Sequence, residues 1–95
     1  MSAFVIVQVQ IRDSEPYERY KLLTPSSIAA YGGRFVVRGA PVETLEGTWK
    51  PPRLVVLEFP TMELAKAWWS SPEYAEAKAL RQSCADTEMI LVAGL

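Results

Sequence analysis

Two charged side chains on neighbouring predicted strands are the residues best suited to chemistry in this chain. Arg38 ends the segment Arg34–Arg38, and Glu58 lies near the end of the segment Leu54–Phe59. Side chains alternate along a β-strand, and this alternation places both charges on the face opposite the fully apolar one. A guanidinium binds carboxylates and phenolates. A carboxylate beside the guanidinium either accepts a proton from a ligand or neutralises the guanidinium charge. The pair therefore predicts either an anion-binding site or a structural ion pair.

Aromatic side chains that carry a polar atom are the next candidates. Tyr20, Trp68 and Tyr74 follow helical spacing, and Trp49 falls in a long connection between two strands. Aromatic side chains at helical spacing either fill a core or wall a pocket. A hydroxyl or an indole N–H near Arg38 would form a polar cluster in an apolar cleft. The candidate binding pocket consists of Arg38, Glu58, Tyr20, Trp68, Tyr74 and Trp49.

The composition excludes several kinds of site. The chain has no histidine and a single cysteine, Cys84, which excludes His-dependent nucleophiles, His-ligated haem and His-containing zinc sites. The acidic residues do not cluster at ligand spacing, and no phosphate-binding glycine motif or CxxC occurs. We therefore expect no metal and no cofactor. A lone thiol indicates a small apolar core residue in a reducing cytoplasm.

Length and charge indicate one ordinary globular domain over residues 1–95. The hydrophobic share is 49% and the net charge is −1, with the basic residues scattered. A nucleic-acid partner would require a basic stripe, and a membrane surface would require a basic amphipathic helix. Because Gln8 interrupts the apolar run of residues 4–7, we expect neither a signal peptide nor a membrane span.

Periodicity and turn residues predict the order β-α-β-β-α-β. The first helix begins at Asp13 or Ser14 and ends at Gly32, and Pro25 within it predicts a kink or a division. Ser71 and Pro72 are typical of a helix start, so the second helical region should restart there. The predicted strands are residues 4–11, 34–38, 54–59 and 88–93.

This order is typical of a ferredoxin-like α+β fold, a four-stranded antiparallel sheet with its helices on one face. If the two central hairpin strands pair with residue numbers summing to about 92, Arg34 opposes Glu58 and Arg38 opposes Leu54. The face away from the helices is half apolar, which predicts a homodimer through that face or a bound ligand. The apolar residues of this face are Phe4, Ile6, Val36, Leu54, Val56, Ile90 and Val92.

Three runs, at residues 31–39, 45–49 and 53–60, together with spaced residues from 65 to 81, resemble the uncharacterised-domain family numbered 1330. The resemblance covers nearly the whole chain. It implies a dimeric α+β barrel, in which two sheets pack face to face, and it implies no settled activity. Related barrels include cofactor-independent monooxygenases, isomerase-like enzymes and haem proteins, and the missing histidine argues against the haem branch.

Two functional classes fit these residues. One is a binder of a small organic carboxylate or phenol, or a cofactor-independent monooxygenase- or isomerase-like enzyme, in which Arg38 holds an oxyanion and Glu58 or Tyr20 accepts a proton. The other is a non-catalytic homodimeric assembly module. The long connection at residues 39–53 is either an arm across the dimer or a lid over a pocket.

Overall fold

The computed structural model describes residues 2–95, which form four strands and three helices. Their order is β1 (Ala3–Ile11), α1 (Ser14–Ala30), β2 (Arg34–Arg38), β3 (Leu54–Phe59), α2 (Met62–Trp69), α3 (Pro72–Cys84) and β4 (Ala85–Ala93). The strands form one sheet in the order β2-β3-β1-β4, and every neighbouring pair is antiparallel. The predicted ferredoxin-like α+β fold is confirmed. None of the helices within residues 2–95 combines the length and the apolar character needed to cross a membrane.

The core lies between the helices and one face of the sheet. Alternate residues of the central strand β1 are buried, as the sequence pattern predicts, and they pack against aromatic side chains of the helices. Trp68 is the largest of these, with its ring centroid 4.2 Å from that of Tyr74 and 5.4 Å from that of Phe59. This cluster joins α2, α3 and β3.

Side-chain caps fix the starts of the second and third helices. The Thr61 hydroxyl accepts a hydrogen bond from the Leu64 amide, at 3.1 Å, and begins α2. The Ser71 hydroxyl accepts from the Tyr74 amide at the same distance, with Pro72 in the first turn of α3. These caps satisfy amides that have no partner within the helix. The predicted restart at Pro72 is confirmed.

Helix α1 is continuous from Ser14 to Ala30, so the predicted division at Pro25 is wrong. Proline has no N–H to donate to the carbonyl four residues earlier, which is that of Lys21. In the structure, Nη2 of Arg38 donates to this Lys21 carbonyl at 2.7 Å. The side chain of a neighbouring strand therefore replaces the missing helical hydrogen bond, and the helix continues.

A β-bulge in β2 changes the side of the sheet on which Arg38 lies. Phe35 pairs with Leu57, but the next pair is Val37 with Val56, so Val36 is an extra residue. Beyond this bulge Arg38 pairs with the buried Val55 instead of Leu54. The predicted position of Arg38 on the half-apolar face is wrong: the bulge turns its side chain to the helix side.

The other face of the sheet is open in the single chain, as the sequence pattern predicts. Ile90 is 61% exposed, Val36 46% and Val92 43%. The long connection between β2 and β3 reaches this face, where Nε1 of Trp49 donates to Oε1 of Gln8 at 2.6 Å. No other element within residues 2–95 forms a second layer here.

Candidate functional site

A small cavity lies between the helices and the sheet. Its volume is about 30 Å³, enough for about two waters. Apolar and aromatic side chains form most of its wall, among them Tyr20, Phe35 and Trp68. Four cationic side chains also line it: Lys21, Arg38, Arg53 and Arg81.

The cavity meets an open groove of about 500 Å³, and three cationic side chains line both. These residues, Lys21, Arg38 and Arg53, are called the mouth. Nζ of Lys21 is 2.8 Å from Oε2 of Glu18 and is thereby neutralised. Within residues 2–95, no carboxylate forms an ion pair with Arg38 or Arg53. The mouth therefore carries two guanidinium charges that no acid offsets.

Arg38 is exposed at the mouth and is held there by two contacts. One is the hydrogen bond to the Lys21 carbonyl, and the other is the stacking of its guanidinium on the Phe35 ring, with Cζ 4.2 Å from the ring centroid. Phe35 lies on the helix side of the sheet because it precedes the bulge, and Arg38 lies there because it follows it. Both contacts leave guanidinium N–H groups free for a ligand.

Arg53 is a mouth residue that the sequence did not single out. Its Nε is buried and has no hydrogen-bond partner within the described chain, and its Cζ lies 5.5 Å from the centroid of the Tyr17 ring. Gly39, with φ of +73°, makes room for it, because a Cβ there would collide with the guanidinium. The position of Arg53 in the sequence could have indicated this contact. Because β2 and β3 pair, the two ends of the connection between them, Gly39 and Arg53, must lie close together.

The inner wall of the cavity is a hydrogen-bonded network around Arg81, which is only 3% exposed. Nε of Arg81 donates to the Tyr74 hydroxyl at 3.3 Å, and Nη1 donates to the Thr87 hydroxyl. The Tyr74 and Tyr20 hydroxyls are 3.0 Å apart. Burial, and then the neighbouring Tyr74, raise the pKa of Tyr20 well above its ordinary value, so Tyr20 is neutral at physiological pH.

Arg81 is thus the second functional candidate that alternation and spacing did not single out. Its position on helix α3 indicated only a helical face. Nothing in the local sequence shows that a charged side chain in that helix is buried, because burial depends on how α3 packs on α1 and β4.

Glu58 and Trp49 lie on the open face of the sheet, away from the cavity. Nη2 of Arg34 lies 2.5 Å from Oε1 of Glu58, as the predicted pairing of their backbones suggested. Hydrogen bonds from Ser2 and then from Arg34 lower the pKa of the Glu58 carboxyl. The partner of Glu58 is therefore Arg34 and not Arg38.

The six candidate residues fall into two groups. Arg38, Tyr20, Trp68 and Tyr74 lie in or against the cleft, and Glu58 and Trp49 lie on the other side of the sheet. Metal-ligand geometry does not occur: within residues 2–95 no three His, Cys, Asp or Glu side chains come together. The cleft is suited to an anion with an apolar body, because its unpaired charges are guanidiniums and most of its wall is apolar or aromatic.

The sheet order and the single helical layer define a ferredoxin-like α+β domain. The chain belongs to the family described as a domain of unknown function, DUF1330, whose model matches residues 2–95. No protein of curated function matches it significantly.

Solved structures with the same fold have distant sequences. RPA0582, a protein of unknown function from Rhodopseudomonas palustris, is 20% identical, with a TM-score of 0.80 over 99% of this chain and 82% of that one. A dimeric ferredoxin-like protein of unknown function from Jannaschia sp. CCS1 is 8% identical, with a TM-score of 0.73 over 99% and 100%. SnoaB, a cofactor-independent oxygenase from Streptomyces nogalater, is 11% identical, with a TM-score of 0.69 over 99% and 93%. At these identities the similarity establishes the fold alone.

Proposed function

We propose that this protein binds a small organic acid, a carboxylate or a phenolate, whose charge is held by Arg38 and Arg53 at the mouth of the cleft. The observation that carries this proposal is that two guanidiniums without an acidic partner border one apolar cavity. A guanidinium stays charged at any working pH, and a buried donor without an acceptor is unfavourable. A carboxylate bound at the mouth would accept from the guanidiniums of Arg38 and Arg53, which have no acidic partner within residues 2–95.

The surroundings of the mouth support an acid with an apolar body. The outer groove is bordered by Leu22 and Pro25, by the three cations and by Glu18, whose carboxylate is paired with Lys21. Its volume of about 500 Å³ is in the range of pockets that hold small organic molecules. The enclosed cavity accepts only a small group, so the body of the ligand would lie in the groove.

Binding is better supported than base catalysis. Glu58, the first predicted proton acceptor, is ion-paired on the opposite side of the sheet. Tyr20, the second, is held neutral by burial and is a hydrogen-bond donor at physiological pH. A cofactor-independent oxygenase or isomerase built on this cleft would use Arg38 to stabilise an oxyanion and would take its proton acceptor from the substrate or from water.

The active form in this proposal is a cytoplasmic homodimer made through the open sheet face. The dimer is proposed because exposed apolar side chains, among them Ile90 and Val36, lie on that face. A stable interface of standard size buries about 1,600 Å² in total. One structural neighbour is described as dimeric, which supports the same arrangement. The cytoplasmic location rests on the single buried thiol, Cys84.

The alternative is a homodimeric assembly module without a ligand. The small volume of the enclosed cavity, about 30 Å³, favours it, since no organic ring fits there without movement of the walls. In this alternative, Arg38 has only a structural role, which is to donate a hydrogen bond to the Lys21 carbonyl.

A screen of carboxylic acids and phenols by thermal shift, followed by calorimetry, distinguishes the two. The proposal predicts that benzoate or a similar acid raises the melting temperature, and that Arg38→Met abolishes its binding while light scattering still gives the dimer mass. Arg19→Met is the matched control, because Arg19 is an exposed arginine of α1 outside the cleft. If no acid binds and Arg38→Met only lowers the melting temperature, the assembly module is correct.

A further inference from the structure

We infer that the acid bound at the mouth carries a second acceptor oxygen, and that Arg81 and the Tyr20 hydroxyl receive this oxygen at the inner wall of the cavity. The inference rests on the proposed function and names the class of its ligand. Hydroxy, oxo and dicarboxylic acids belong to this class, and simple monocarboxylic acids do not.

Arg81 carries a buried charge that lacks an acidic partner within residues 2–95. This side chain is 3% exposed, and no carboxylate of the described chain pairs with its guanidinium. A guanidinium has five N–H donors, and the described partners, the hydroxyls of Tyr74 and Thr87, accept from Nε and Nη1. Both partners are hydroxyl groups, which solvate the cation but do not neutralise it. A buried cation without a counterion is strongly unfavourable.

Arg81 and the mouth share one cavity. Arg38, Arg53 and Arg81 all line the same enclosed space of about 30 Å³. That space accepts a group of one or two non-hydrogen atoms beyond the mouth, which is the size of a hydroxyl, a carbonyl or one end of a carboxylate. A ligand anchored at the mouth would therefore place its next polar group toward Arg81.

The pair of Tyr20 and Tyr74 brings hydroxyl groups next to Arg81. The Tyr74 hydroxyl accepts from Arg81 and shares a hydrogen bond of 3.0 Å with the Tyr20 hydroxyl, in which either oxygen can be the donor. When Tyr74 is the donor, the Tyr20 proton is available to a group in the cavity that Tyr20 lines. Since Tyr20 is neutral at physiological pH, it presents a donor and not a competing anion. The inner wall thus combines a guanidinium and a hydroxyl donor, both suited to an acceptor oxygen.

The test compares two matched pairs of probes, benzoate with 2-hydroxybenzoate and propionate with lactate, by calorimetry at constant ionic strength, because in each second member the added oxygen lies next to the carboxylate. We expect the second member of at least one pair to bind about tenfold more tightly or better, the effect of one hydrogen bond to a charged group. Arg81→Met should remove this preference, so that the two members of each pair bind with equal affinity. Both members of each pair carry the same charge, so a difference in affinity reports recognition of the added oxygen and not general attraction to the mouth.

Variants and controls keep the outcomes separate. Arg81→Lys retains a buried cation but lacks the planar set of donors, so it should lose most of the preference for the second member of each pair. This variant replaces Arg81→Met in the test if Arg81→Met does not fold. Arg12→Met, which removes an exposed arginine paired with Asp86, is the matched control and should keep the preference. Equal binding of both members of each pair, with Arg38 still required, overturns this inference and leaves the proposed function standing. Binding of no acid at all overturns both.

Discussion

The hydrogen bond from Arg38 to the carbonyl that Pro25 leaves without a partner gives a prediction about two residues far apart in sequence. Nη2 of Arg38 lies 2.7 Å from the oxygen of Lys21. Pro25→Ala would restore an amide that donates to this oxygen within α1. The effect of losing Arg38 should therefore depend on which residue occupies position 25.

The expected magnitudes follow from the contacts. A proline inside a helix is less favourable than alanine by about 3 kcal/mol. Arg38 already supplies part of the lost hydrogen bond, and proline restricts the unfolded chain by about 0.4–1 kcal/mol. Pro25→Ala should then stabilise the protein by about 1–2 kcal/mol. Arg38→Met should destabilise it by about 1–3 kcal/mol, because it leaves a helical carbonyl without a donor.

The decisive quantity is the coupling between the two changes. In the Pro25→Ala background, Arg38→Met should be less destabilising by about 1 kcal/mol, because the alanine amide serves the Lys21 carbonyl. Stacking of Arg38 on Phe35 is lost equally in both backgrounds and cancels. A difference of this size corresponds to about 4–8 °C in melting temperature for a domain of this length.

Urea unfolding followed by far-ultraviolet circular dichroism, at one fixed protein concentration, measures all four proteins. Arg19→Met, made in both backgrounds, is the control and should show no coupling with position 25, since Arg19 pairs with Glu15 on the surface. If the effects of Arg38→Met and Pro25→Ala add within about 0.3–0.5 kcal/mol, the replacement of the helical hydrogen bond by Arg38 is refuted.

Three further predictions concern the core, the inner wall and the open face. Gly33→Ala should destabilise the protein by about 1–3 kcal/mol in urea unfolding, because the new Cβ would lie 2.5 Å from Cε1 of Phe59; an unchanged midpoint would contradict this packing. Burial raises the pKa of Tyr20 above its unfolded value of about 10, so its contribution to stability is complete below that pH and is lost as pH rises above it. In the Tyr20→Phe variant, the free energy of unfolding should therefore fall less between about pH 9 and about pH 11 than in the unmodified protein. If the free energies of unfolding of the two proteins depend on pH in the same way over this range, the buried neutral hydroxyl is contradicted. Ile90→Lys should shift the species seen by sedimentation from dimer to monomer at micromolar concentration, while Leu22→Lys, on an exposed position of α1 that is 82% exposed, should not; a dimer that survives Ile90→Lys would place the interface elsewhere.

The order of elements could be predicted because local signals decide it. Strict alternation marked the buried face of β1, and Ser71 with Pro72 marked the start of α3. These signals depend on residues within one turn or one strand. The same is true of the unusual half-apolar face, which needs only the period of a strand.

The cleft could be predicted only in part, because distant contacts build it. Val36 and Val37 are equally apolar, so nothing in their types shows that a bulge moves Arg38 to the helix side. The continuity of α1 through Pro25 depends on a donor that lies 17 residues from Lys21 in the sequence. Arg53 and Arg81 became visible as site residues only once strand pairing and helix packing had brought them to one cavity.

The extra residue at Val36 has a consequence for how this family can change over time. Deleting one residue from β2 would restore regular alternation and carry Arg38 through the sheet, from the cleft to the surface where two subunits are proposed to meet. A charge would then leave the proposed ligand site and enter the proposed interface without any substitution at the arginine itself. A relative that has this arginine but one residue fewer in β2 would therefore place the arginine on the opposite face of the sheet. To assign the same role to the arginine of a relative, the length of β2 must be compared as well as the residue type.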